Sequence, residues 1–99
     1  MAAFFIAQYQ VNDPALYADY QQGAGPTLQA HGAELVALDV AAETIEGKPP
    51  GPQTVIIKFE TAAAAKGWYE SDDYQAVVGK RLAATEGFAV ISESMNLGG

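Results

Sequence analysis

The chain has 99 residues, 49% of them hydrophobic, and a formal net charge of −7 from twelve acids against five bases. That length holds one domain, spanning residues 1–99, which buries roughly 60–65% of its unfolded surface. With no cysteine, disulfides and thiolate metal sites are excluded, which fits a reducing, cytoplasmic setting. The only adjacent basic pair is Lys80-Arg81, so the chain lacks the clustered cations that displace counterions from phosphates. Neither nucleic acid nor an anionic membrane surface is an expected partner.

Residues 3–11 read as a strand with Phe5, Ala7, Tyr9 and Val11 on one face and Phe4, Ile6, Gln8 and Gln10 on the other. The apolar run stops by Gln8 and no positive segment precedes it, so neither a signal peptide nor a membrane span is expected there. Asn12-Asp13-Pro14 is a helix start, with Asp13 capping free N–H groups and Pro14 at the first helical position. Leu16, Tyr17 and Tyr20 then share one side. Gly23-Ala24-Gly25-Pro26 predicts a kink or short break, followed by a second helical piece from Thr27 to His31 that stops at Gly32.

Leu35 to Val40 is the second expected strand, apolar on both faces apart from Asp39, and Glu43 to Glu46 is a further extended stretch. Gly47-Lys48-Pro49-Pro50-Gly51-Pro52 can continue neither strand nor helix and forms a stiff loop. Thr54 to Phe59 follows as a strand with Val55, Ile57 and Phe59 on one face. Thr61 caps an alanine-rich helix that carries Trp68-Tyr69, and Ser71-Asp72-Asp73 starts another. The stripe of that last helix is Tyr74, Val77, Val78, Arg81 and Leu82; Gly87 ends it, and Phe88 to Ser94 is the final strand.

The order is β-α-β-β-α-β. Two split βαβ units of this kind build an α+β, ferredoxin-like fold: a four-stranded antiparallel sheet with its helices on one face. Apolar residues on both faces of the first, second and last strands leave the other face a poor fit to water, and pairing with a second copy would cover it.

His31 is the sole histidine, which excludes a multi-histidine metal site within one protomer. It is a candidate general base, or simply a helix-terminal residue favoured by the dipole. Arg81 lies seven residues after Tyr74 on an apolar stripe, so it either snorkels outward, meets a carboxylate such as Glu43, or holds a ligand anion. Tyr17, Tyr20, Trp68 and Tyr74 have apolar bodies and polar tips; with His31 and Arg81 they form the candidate ligand-binding set. No Gly-x-Ser-x-Gly elbow or phosphate-cradling glycine loop is present, and no cofactor is implied.

Taken together, several segments resemble one known family. These are Asn12-Asp13-Pro14 with Tyr17 and Tyr20; Pro26-Thr27-Leu28 before His31-Gly32; Glu43 and Glu46-Gly47; and Trp68-Tyr69-Glu70-Ser71 with Tyr74-Gln75 and Arg81. The chain is similar in these to the bacterial domain of unknown function 1330 family, within the dimeric α+β barrel superfamily. That resemblance implies a ferredoxin-like protomer whose sheet packs on that of a homodimer partner, and it supplies no activity. Where the family often carries an arginine followed by two glycines, this chain has Leu38-Asp39-Val40. Three functions follow as expectations: a homodimer holding a small organic ligand in a helix–sheet cleft, a cofactor-independent oxygenase or isomerase, or an interaction subunit without ligand.

Overall fold

A computed structural model describes residues 1–95. It runs β1 (Ala3–Val11), α1 (Pro14–Ala30), β2 (Glu34–Asp39), β3 (Gln53–Phe59), α2 (Ala62–Glu70), α3 (Asp72–Ala84) and β4 (Thr85–Glu93). The sheet order is β2-β3-β1-β4, antiparallel throughout. This is the expected ferredoxin-like arrangement, with β3 between the parallel pair β1 and β2. Phe5 stands opposite Ile57 and Ile91, and Ala7 opposite Val55 and Ala89. Alternation therefore puts the odd-numbered residues of β1, β3 and β4 under the helices.

The helix starts follow the capping chemistry. Leu16 N–H donates to Asp13 Oδ1 at 3.1 Å, Ala64 N–H to Thr61 Oγ1 at 3.0 Å, and Tyr74 N–H to Ser71 Oγ at 3.4 Å. At the far end of α1, Ala33 N–H donates to Leu28 O and Gly32 N–H to Gln29 O while Gly32 takes φ +67°. That is a Schellman stop, and its left-handed residue favours glycine.

Several expectations are corrected. The helix does not break at Gly23-Ala24-Gly25-Pro26: α1 is continuous, with Pro26 inside it. Gly25 has no Cβ to meet the proline ring, the usual reason that a residue before proline leaves the helix. Gln22 and Pro26 are both exposed, so the carbonyl that loses its donor can turn to water. Buried Ala24 and Thr27 hold this stretch onto the core.

Helix α3 ends at Ala84 rather than at Gly87. Ala84 O accepts from the N–H groups of Asn12 and Asp13, and Thr85 Oγ1 donates to Arg81 O at 2.7 Å. Gly87 instead lies within β4 opposite Tyr9, where an added Cβ would run into Gln8 O and the Tyr9 backbone. Leu82, assigned to the apolar stripe, is 60% exposed. The stretch Glu43 to Glu46 is irregular and pairs with no strand among the described residues.

The core lies between sheet and helices. Trp68, Tyr74 and Phe59 are its largest fully buried side chains. Trp68 meets Phe5 edge-on at 5.2 Å between ring centroids, and its centroid is 4.0 Å from that of Tyr74.

On the sheet face without helices the cross-strand register aligns one apolar row across all four strands. Ala37 stands opposite Ile56, Ile56 opposite Ile6, and Ile6 opposite Val90. Polar residues flank the row: Glu34, Lys58 and Ser92 toward one end, Asp39, Thr54 and Gln8 toward the other. Phe4 and Phe88 lie among them.

Candidate functional site

The site begins with an irregularity in β2. Strict alternation would send Leu35 and Leu38 to opposite faces. A bulge between Leu35 and Ala37 adds one residue, so Leu35 pairs with Ile57 and Leu38 with Val55, both on the helix side. No helix lies directly over β2, and the two leucines remain 51% and 46% exposed. Between them and α1 opens a cavity of about 230 Å³.

Phe5, Val55 and Ile57 form its floor, and Ala24, Gly25 and Leu28 of α1 form the wall facing Leu35 and Leu38. Its polar surface comes from Tyr9, Tyr17 and Tyr20, with Gln21 also lining it. The volume falls below the roughly 300 Å³ at which drug-sized sites begin, so one or two fused rings suit it.

The tyrosines are joined in pairs. The Tyr9 and Tyr17 hydroxyls are 2.8 Å apart, as are those of Tyr20 and Tyr74. Gln53 Nε2 donates to Tyr17 Oη over a long 3.5 Å. Behind these rings lies Arg81, 5% exposed, with its Cζ 5.7 Å from the Tyr9 ring centroid. Its Nε has no hydrogen-bond partner. Arg81 therefore neither snorkels nor meets a carboxylate: the one salt bridge among the described residues is His31 with Asp73. Burial works against the guanidinium charge, and the oxygens of Tyr74, Tyr20 and Tyr9 offset it, so the group stays protonated.

Burial also pushes the hydroxyls of Tyr9, Tyr20 and Tyr74 above the ordinary phenol range. A group whose pKa is raised by folding stabilises the fold below its unfolded value, about 10 for tyrosine, and that stability is lost as pH rises above it. Alkaline titration followed by tyrosinate absorbance and by circular dichroism should show these three ionising only as the protein unfolds. Their ionisation in an intact fold near the ordinary value would contradict their placement.

The candidate residues thus divide. Tyr17 and Tyr20 line the cavity; Tyr74 and Arg81 stand directly behind it, and Trp68 lies fully within the core. His31 is elsewhere: it is at the end of α1, with Nε2 3.3 Å from Asp73 Oδ1, in a second cleft that it lines with Glu34, Lys58 and Glu60. His31 and Arg81 do not share one pocket. Sequence reasoning missed Tyr9, Leu35 and Leu38 as cavity residues. Tyr9 read as one more inward strand position, and the bulge that turns Leu35 and Leu38 to one face leaves no sequence signal. Among the described residues no cluster of three or more His, Cys, Asp or Glu could hold a metal, and no helix is long and apolar enough to cross a membrane.

Fold and cavity together define a ferredoxin-like α+β domain with a tyrosine-lined pocket under its first helix. The chain belongs to the Domain of unknown function (DUF1330) family, whose pattern matches residues 2–95. No curated protein matches it. A protein of unknown function from Rhodopseudomonas palustris superposes with a TM-score of 0.79 at 16% identity, over 96% of this chain and 83% of that one. HapK from Hahella chejuensis gives 0.64 at 18% identity, over 97% and 95%. A candidate antibiotic biosynthesis monooxygenase from Caulobacter crescentus CB15 gives 0.60 at 16%, over 96% and 91%. At these identities the likeness is one of fold.

Proposed function

We propose that the protein binds a small, largely apolar organic molecule in the cavity between α1 and β2, as one half of a homodimer paired through its open sheet face. The cavity itself carries the reading. Leu35 and Leu38 stand half exposed toward a ready-made apolar space, whereas an ordinary core would have closed over them. Support for pairing is the apolar row Ala37, Ile56, Ile6 and Val90, framed by polar rows as a protein interface is.

A cofactor-independent oxygenase or isomerase would need a base at the substrate, and no His, Asp or Glu lines the cavity. Binding is therefore the better supported function. Thermal unfolding with saturating benzoate, indole, 2-naphthol or 2-naphthoate tests it. At least one should raise the midpoint by about 5 °C or more in the native chain and leave it unmoved in Ala24→Leu, which fills the cavity. No shift with any of them, or equal shifts in both proteins, would leave the chain as an interaction subunit without ligand.

A further inference from the structure

The cavity's hydrogen-bonding capacity is lopsided. Each tyrosine pair holds two hydroxyl protons, and the single bond between its oxygens uses one of them. In the Tyr20–Tyr74 pair either hydroxyl can be the donor. Tyr74 is fully buried, and the Tyr20 oxygen is the only acceptor its hydroxyl meets among the described residues. When Tyr74 donates to Tyr20, the Tyr20 proton is free to point into the cavity that Tyr20 lines.

The other pair ends the same way. The Gln53 amide donates to Tyr17, so one proton of the Tyr9–Tyr17 pair has no acceptor among the described residues, and both tyrosines line the cavity. Tyr17 and Tyr20 lie one turn apart, tilted by 36° with centroids 5.6 Å from each other, so the two pairs are neighbours along the cavity. No carboxylate lines it. Behind these tyrosines stands a guanidinium with 5% exposure that has, among the described residues, no partner at Nε and no counter-ion. A buried cation in this state is costly unless an anion comes to it.

We infer that the ligand is an organic anion, an aromatic or alicyclic carboxylate or enolate, whose ring fills the leucine-lined space while its oxygens accept from Tyr20 and the Tyr9–Tyr17 pair. Arg81 supplies the balancing charge from behind the tyrosines, acting through Tyr9 and Tyr74 without lining the cavity. This rests on the binding reading above and adds the charge of what is bound. Cations are disfavoured by Arg81. A neutral amide can exchange hydrogen bonds with the tyrosines but gains nothing from the charge of Arg81.

Isothermal titration with 2-naphthoate and 2-naphthamide, which share a ring system and differ in charge, tests the inference. Native protein should bind the carboxylate about tenfold or more tightly than the amide, the scale expected of charge-assisted hydrogen bonds. That ratio should fall toward one in Arg81→Met and drop severalfold in Tyr20→Phe, which keeps the ring and removes the donor. Equal or tighter binding of the amide, or an unchanged ratio in every variant that folds, overturns the anion assignment and leaves the cavity reading standing. Binding of neither overturns both.

Discussion

Replacing Trp68 with alanine should cost the fold about 3–5 kcal/mol. The indole is fully buried between Phe5, Phe59 and Tyr74, with centroid separations of 5.2, 5.3 and 4.0 Å. Its removal leaves space that surrounding rings, held by the sheet register and by α3, can only partly fill. A second loss comes with it. Trp68 Nε1 donates to Thr27 Oγ1 at 2.9 Å, and Thr27 in turn donates to Ala24 O at 2.6 Å. Without the indole that buried hydroxyl loses its donor partner. For a domain of this size, held by about 5–15 kcal/mol, the loss is a large share of the stability. Urea unfolding of Trp68→Ala beside Trp68→Phe measures this; a loss under about 1 kcal/mol in the alanine variant would contradict the packing described.

If the open sheet face pairs as proposed, placing a charge in its apolar row should break the pair while sparing the single chain. Val90 is the position to change, because it lies on the edge strand β4 and is 47% exposed, so a lysine there can reach water in the single chain. In a face-to-face pair the same lysine would be buried twice. Losing two buried valines at about 1.5–3 kcal/mol each, with an ammonium added, should turn a dimer at micromolar concentration into a monomer. Sedimentation of native and Val90→Lys protein, with circular dichroism to confirm folding, reads the result directly. A native chain that is already monomeric refutes the pairing.

Much of the architecture is written in local chemistry. The extent of β1, the caps at Asp13, Thr61 and Ser71, and the glycine stop at Gly32 follow from residue types acting on their immediate neighbours. What escapes such reading depends on distant contacts. Pro26 looks like a helix breaker until Gly25, exposure to water and the buried anchors Ala24 and Thr27 are seen together. Gly87 looks like a helix stop until β1 passes close against it. Arg81 reads as bound for solvent, a carboxylate or a ligand anion, and only the assembled core shows it enclosed by phenols.

The cavity escaped for the same reason. Its apolar wall depends on the bulge that turns Leu35 and Leu38 to one side. Leu35 and Leu38 give the cavity its apolar wall, and the buried cation Arg81 stands behind the tyrosines.

The most direct measurement is an NMR titration of methyl-labelled protein with 2-naphthoate. Occupation of the cavity predicts saturable shifts at Leu28, Leu35, Leu38, Val55 and Ile57, with Ile6, Ile56 and Val90 on the opposite sheet face unmoved. No shifts, or shifts centred on those opposite-face methyls, would contradict a ligand held beneath α1.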